Sequence, residues 1–552
     1  MIRKLFTVFA LLCTIYSNAQ VKEKWAVRYT FADTASPWKD TDIGTSVAID
    51  EQNNVYVTGS SMRDGQDIVT IKYNGAGIEQ WKAIYNNSAV NGNDAGSALA
   101  IDAQGNVYVT GSSNGPGATS TDFITIKYNN SGIKQWEARY FGPENKIDIA
   151  TQIALDQQGN AYVAGRSEKN GQSFDIVTVK YNNAGIEQWN KRYNGPGNFD
   201  DYANSLLVDL NGNVYVAGEI RATGGQTFDF VTIKYNPAGE EKWVKVFNGT
   251  ANSDDKAKSL AIDSKGNVIV VGSTVVDASA TWMNDFLTIK YDSAGNEIWR
   301  KKYNGPGNSS DGAVCVKTDA IDNIYVAGSS HSGSGDMDLT VVKYTKDSAL
   351  LWVSRYNRAG GNTEELKAMT MDASANVYIT GSSQGPTGRD YATVKYDSSG
   401  TEKWMFRYNG PGNGYDDPWS IAVNSKGVTV VTGASPGLKS ATDYATVMYA
   451  DSLLLTSVSN TFVNIKTDPE LNTYPNPFTD NIAIDYSIPE KTFVTIKVYN
   501  YLGQQIANLI NDELPSGKYL AMFNGTELEN GIYFCELRAG SYISTSKLIL
   551  QK

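Results

Sequence analysis

One tryptophan recurs eight times along the chain at spacings of 52 to 56 residues: Trp25, Trp81, Trp136, Trp189, Trp243, Trp299, Trp352 and Trp404. Four short strand-like runs accompany each interval. A single copy of that size cannot bury both faces of its sheet, so the copies must pack on one another. A period of this length with four strands per copy predicts radial repetition, an all-β propeller.

The first full copy shows the order. Ser46–Asp50 is a short apolar run (strand a), and a turn follows that the sister copies write as Asp-x-x-Gly-Asn, as at Asp102–Asn106 and Asp156–Asn160. The glycine supplies positive φ and the aspartate can accept turn amides. Val55–Gly59 is strand b. Asp67–Tyr73 alternates with period two and is strand c. After Asn74–Gly77, strand d carries Trp81 and Tyr85. Strands b and c each occur eight times. The first Trp run, Trp25–Tyr29, precedes any strand a, and no Trp run follows Tyr449. The chain therefore reads d, then seven abcd copies, then abc. Pairing the N-terminal strand with the last abc set gives an eight-bladed ring without open edges.

A charge pattern supports this closure. A c–d hairpin with a four-residue turn sets Thr70 opposite Trp81 and Asp67 opposite residue 84. The same count pairs Asp122 with Arg139, Asp175 with Arg192, Asp285 with Lys302, Asp338 with Arg355 and Asp390 with Arg407. Asp443 and Arg28 are left without local partners, and closure joins them. Ile84 and Val246 break the pattern. Read as exposed cross-strand pairs, these report register more than stability.

The recurring VYVTGS, TIKY and WxxRY runs resemble the SBBP-type β-propeller repeat. That resemblance implies a propeller fold. The family's name carries seven blades, whereas this chain spells eight.

The chain's formal net charge of −11 disfavours nucleic acid and anionic membrane as partners. Its one histidine, His331, excludes multi-histidine metal sites. His331 stands in a predicted b–c loop without a nucleophile elbow, so a solvated role is its plain reading. Cys13, Cys315 and Cys535 fall in different predicted segments, which predicts free thiols, the last two buried. Residues 1–19 read as a signal peptide. Arg3 and Lys4 precede the apolar Leu5–Tyr16, and Ser17-Asn18-Ala19 offers small residues for cleavage before Gln20. Leu12 before Cys13 argues against a lipid anchor. No other apolar run approaches membrane-spanning length, so the mature chain is expected to have no transmembrane segment.

In a propeller of this strand order the d–a and b–c loops share one face and the tight a–b and c–d turns the other. Loop variation concentrates on the first face, which is where a ligand is expected. One acid per copy precedes strand a on that face: Asp42, Asp94, Asp148, Asp201, Asp255, Asp311, Glu364 and Asp416. Such a ring could bind Ca²⁺ or a cationic ligand. Its structural alternative is that each carboxylate accepts backbone N–H groups where one blade passes to the next. No loop matches an EF-hand, and no other metal or cofactor is indicated. Trp38, Trp282 and Trp419 stand outside the repeat, in predicted loops of the same face. They could stack on sugar, anchor a protein, or plug gaps between blades.

Leu455–Glu470 reads as a linker between the propeller (20–454) and a module at 471–552. In the module, runs at Ile482–Tyr486, Val494–Tyr499, Tyr519–Phe523, Ile532–Leu537 and Ser546–Leu550 predict a small Ig-like β-sandwich. The motif Tyr474-Pro475-Asn476-Pro477-Phe478, the segment 498–504, Asn530–Leu537 and Ser546–Lys552 are similar to the type A C-terminal sorting domain of the type IX secretion system. That resemblance implies Sec export, passage across the outer membrane by the type IX machinery, and removal of the domain at the surface. The combined expectation is a secreted or cell-surface scaffold, monomeric, binding glycan or protein through its loop-rich face. The alternative is an extracellular polysaccharide hydrolase or lyase. Asp is too abundant for a catalytic pair to be singled out.

Overall fold

The structure is a computed structural model that describes residues 21–30, 41–451 and 471–552, short loop stretches apart. The signal segment 1–19, the linker 455–470, Trp38 and Trp282 lie outside the described residues. Every regular element described is a strand. The chain divides into two compact units after Thr456.

The first unit holds eight four-stranded sheets. Blade 1 consists of Asp42–Ile49, Val55–Met62, Gln66–Tyr73 and Glu79–Tyr85 in antiparallel order. Six further sheets repeat this order along the chain. The last sheet takes Asp417–Val423, Thr429–Ser435 and Asp443–Asp451 from one end, and Val21–Tyr29 from the other. In the register of this final pair Trp25 faces Met448 and Arg28 faces Ala445.

Each strand a packs on the strand a of the next blade, and that of blade 8 packs on that of blade 1. The seam repeats the chemistry of an ordinary junction. Leu99 N–H donates to Ser46 Oγ at 3.2 Å, and Val47 N–H donates to Ser420 Oγ at 3.2 Å. Apolar clusters fill the junctions with side chains of two adjoining blades. At the seam Val55, Val57 and Ile71 meet Val430, Tyr444 and Met448. Each such buried side chain stabilises by roughly 1.5–3 kcal/mol.

The recurrent tryptophan works between blades. Trp81 Nε1 donates to Asn130 O at 2.9 Å, in the c–d turn of the next blade, and Trp136 Nε1 donates to Asn183 O at 2.9 Å. Trp25 makes the equivalent bond across the seam to Gly75 O at 3.2 Å. Its ring covers Gly77, where φ is +79° and a Cβ would sit 2.9 Å from the indole. Glycine takes this φ without strain and leaves room for the ring, although the equivalent turn of one blade carries Ser348 at φ +77°.

The pairs of Asp122, Asp175, Asp338, Asp390 and Asp443 form, whereas Asp285 and Lys302 make no ion pair with each other, and two further corrections apply. Their register differs by two residues: Lys72, not Thr70, faces Trp81, and Val69 faces residue 84. The turn holds five residues, Asn74–Ile78, and a bulge follows Lys72, which shifts the count. Arg139 therefore faces Ile124 and reaches diagonally to Asp122 at 3.1 Å. Arg192 meets Asp175 at 2.8 Å, and Arg28 meets Asp443 at 2.9 Å. Nor are the pairs exposed, since Asp122, Asp175 and Asp443 are all buried. Arg28 also ties in Ser435 of strand b and Tyr408 of the preceding strand d, and Arg139 does the same with Ser113 and Tyr85.

The second unit has two sheets, one of Leu471–Tyr474, Asn481–Ile488 and Gly517–Asn524, and one of Gln505–Leu514, Thr492–Asn500, Gly531–Ala539 and Tyr542–Leu550. Ile484, Ile496, Val498, Cys535 and Leu548 lie in the shared core. Two strands escape the sequence reading, Leu471–Tyr474 and the largely exposed Gln505–Leu514. The Tyr-Pro-Asn-Pro-Phe motif clasps the final strand. Phe478 is buried, its N–H donates to Ile549 O at 2.9 Å, and Ile549 N–H donates to Asn476 Oδ1 at 2.9 Å. Cys315 and Cys535 are free thiols; Cys535 is buried as expected, whereas Cys315 is only half-buried.

Candidate ligand site at the channel mouth

The two faces of the propeller differ in kind. On one, the a–b turns are standardised: Asp102 Oδ1 accepts the N–H groups of Gln104 and Asn106, and Asp156 does the same for Gln158 and Asn160. On the other, strand a begins and strand b ends, as where Asp42 faces Ser61.

The acid ring lies on this second side, but beneath it. Asp42, Asp94, Asp148, Asp201, Asp255, Asp311, Glu364 and Asp416 are each only 0–1% exposed. They hold the d–a connections. Gly142 N–H donates to Asp148 at 2.6 Å, Gly195 N–H to Asp201 at 2.6 Å, Gly305 N–H to Asp311 at 2.7 Å, and Asn87 N–H to Asp94 at 2.8 Å. Ser383 Oγ donates to Glu364 at 3.0 Å. Burial pushes the carboxyl of Asp148 up to about 6 and those of Asp201 and Glu364 up to about 7. All eight carboxylates are buried, and at Asp94, Asp148, Asp201, Asp255, Asp311 and Asp416 a backbone N–H of the d–a connection donates to the carboxylate, the structural alternative offered by the sequence. Among the described residues no group of three or more His, Cys, Asp or Glu is placed to hold a metal ion.

What faces the channel is a different set. In every blade the pairing of strand a with strand b skips one residue, a bulge that turns that side chain inward. In blades 1 to 4 the skipped residues are Thr45, Ser97, Thr151 and Asn204. Three of these close on the neighbouring blade: Thr45 Oγ1 donates to Gly96 O at 2.8 Å, Thr151 Oγ1 to Ala203 O at 3.0 Å, and Asn204 Nδ2 to Ala257 O at 2.8 Å. In blades 5 to 8 they are Lys258, Val314, Lys367 and Trp419. All four line one cavity of about 340 Å³, together with Glu365. Lys367 Nζ stands 5.8 Å from the Trp419 ring centre and 2.6 Å from Glu365. Lys258 Nζ lies 2.6 Å from Glu219.

Trp419 is 49% exposed and sits in strand a, not in the loop before it, because the bulge between Pro418 and Ser420 lengthens the strand. Asp416, which immediately precedes that strand, is buried below it. His331 ends strand b of blade 6, where its N–H donates to Asp311 at 2.8 Å. Lys258, Lys367, Glu365 and Glu219 escape the sequence reading. Their signal is departure from the repeat: most copies carry serine after the strand-b glycine, where Glu219 stands.

Comparison with known proteins agrees with both units. Residues 472–551 match the secretion system C-terminal sorting domain, and residues 35–62, 80–118, 138–171 and 188–223 match the beta-propeller repeat. The chain is therefore a propeller-repeat protein with a sorting module of the type IX secretion system. That module marks it for export through this system to the cell surface or outside. It is similar to a WD repeat-containing protein of Acanthamoeba polyphaga mimivirus, 22% identical over 71% of this chain and 29% of the viral protein. Regulatory protein FlaEY of Caulobacter vibrioides is 23% identical over 70% of this chain and 40% of its own. The chain thus spans well under half the length of these curated relatives. Among solved structures, PorZ, a surface component of the type IX system of Porphyromonas gingivalis, covers 92% of this chain and 65% of its own. It does so at 11% identity and a TM-score of 0.35.

Proposed function

We propose that this exported protein is a binding scaffold that takes an extracellular glycan or protein segment at the channel mouth of blades 5 to 8. One observation carries the reading. Eight equivalent bulges offer eight equivalent places, and the contiguous run Lys258, Val314, Lys367 and Trp419 sets two lysines and an indole, with one valine between them, around a cavity. An exposed indole offers a stacking face, and the two lysines offer charge without committing the site to chemistry. A hydrolase or lyase has less support. The carboxyls raised toward neutrality, Asp201 and Glu364, are buried and engaged by the scaffold. The test is a glycan array and a secretome capture with the full chain. Retention of intact ligand supports the scaffold, turnover of a bound glycan supports the enzyme, and capture of nothing contradicts both.

A further inference from the structure

A second feature of the loop face lies in blades 3 and 4, away from the cavity lined by Trp419. After the strand-b glycine the copies place Ser60, Ser112, Ser273, Ser329 and Ser382, but blade 3 places Arg166. Its guanidinium lies between two rings, 4.8 Å from the centre of Phe174 and 5.0 Å from that of Tyr202. The rings come from different elements, Phe174 from strand c of blade 3 and Tyr202 from strand a of blade 4. Tyr202 in turn packs on Phe228 at 5.8 Å, whose far side carries Arg221 at 4.4 Å.

The other arginines of this size of contact are engaged. Arg139, Arg192, Arg355 and Arg407 each pair with a buried aspartate, and Arg221 Nη1 donates to Gly225 O at 2.6 Å. Arg166 differs. No carboxylate among the described residues pairs with it, and its Nε is buried without a hydrogen-bond partner. The nearest acid on this strip, Asp200, is occupied: it accepts from Phe174 N–H at 3.0 Å and from Tyr202 Oη at 3.3 Å. A guanidinium packed against two rings has lost rotamer freedom in advance, and its planar N–H groups form a fork. That geometry matches a planar or tetrahedral oxyanion, and the pre-ordering removes part of the cost of binding one.

We propose that Arg166, clamped by Phe174 and Tyr202, is an oxyanion subsite of the loop face that recognises the carboxylate or sulfate of an acidic saccharide. This rests on the reading of that face as the binding face. A saccharide is favoured over an acidic peptide because the half-exposed rings of Tyr202 and Phe228 beside the guanidinium offer stacking faces for a sugar ring that carries the anion, and Arg221 and Lys256, which also lie over Phe228, add positive charge there.

The test uses the full chain and four probes: an oligogalacturonate for the carboxylate, a sulfated galactan oligosaccharide for the sulfate, the neutral galactan, and polyglutamate. The result expected is that one or both acidic saccharides bind at least about tenfold tighter than the neutral one. Arg166→Ser, which installs the residue of the sister blades, abolishes that preference without changing the melting temperature. Arg166→Lys restores only part of it, because an ammonium lacks the fork. Acidic saccharides binding no better than the neutral one, or an unchanged preference in Arg166→Ser, overturns the subsite while leaving the scaffold reading intact. Polyglutamate binding as tightly through Arg166 overturns the saccharide assignment. Binding of none of the four overturns the subsite, and the secretome capture then decides the scaffold reading alone.

Discussion

The guanidinium of Arg28 lies 2.9 Å from the carboxylate of Asp443, a residue 415 positions further along the chain. That pair closes the ring. It belongs to a set repeated with local partners in blades 2, 3, 6 and 7, so the closing strand is recognised by the same side chains that hold strand d in those blades. Closure completes the last sheet to four strands, like the other seven.

Arg28→Ala should therefore destabilise the propeller more than removal of a surface charge would. Asp443 is 4% exposed, and its truncated partner would leave a buried carboxylate uncompensated, a loss of about 3 kcal/mol or more. Chemical denaturation of the full chain against the variant measures it. A difference below about 0.5 kcal/mol would show that the seam does not depend on this pair.

Trp25→Ala tests the same seam by packing. The indole is half-buried on Gly77, so the expected cost is roughly 2–3 kcal/mol, below the range for a fully buried aromatic. Fluorescence-monitored unfolding gives the value, and a stability equal to wild type would contradict the closed ring.

Stability should also depend on pH in a defined direction. Burial pushes Asp229 and Asp285 up to about 6, beside Asp201 and Glu364 at about 7. Unfolded carboxyls titrate near 4, so between about pH 4 and 7 the folded chain binds more protons at these sites. Their contribution thus falls as pH rises through that window and is most favourable at its acid end. Blade 4 isolates the effect, since Val246 stands where five of the other blades carry arginine and faces Val231, two residues from Asp229. Val246→Arg should raise the melting temperature more at pH 8 than at pH 5. An equal gain at both would contradict the assignment.

Much of this architecture is legible in the sequence because one residue per copy carries a pairwise job. Trp25 without a strand a before it, and Arg28 without a local aspartate, together specify closure. Register was less legible, because the bulge beside Lys72 changes the count without leaving a mark in residue type. The acid ring was visible as a position but not as an environment. Whether Asp201 faces solvent or Gly195 N–H depends on how the d–a connection folds over it. The channel lining was hidden for the same reason: Lys258, Lys367 and Trp419 share a place only once the strand-a bulge is known. The exposed strand Gln505–Leu514 lacks the alternation that betrays a buried face.

Deletion of 471–552 should leave folded propeller in the periplasm, since the removed residues include the matched sorting domain. Fractionation and immunoblotting locate the chain, and efficient appearance of the truncated protein outside the cell would contradict the sorting role.

The most direct test of the account compares faces. The ligand recovered by glycan array or secretome capture is titrated against the wild-type chain, a Trp419→Ala, Lys367→Ala double variant at the channel mouth, and Leu210→Asp, a control on the turn face where Leu210 is 85% exposed. The account predicts that the double variant loses at least about tenfold in affinity at an unchanged melting temperature, while the control binds as wild type. Undiminished binding by the double variant, or loss confined to Leu210→Asp, would contradict it.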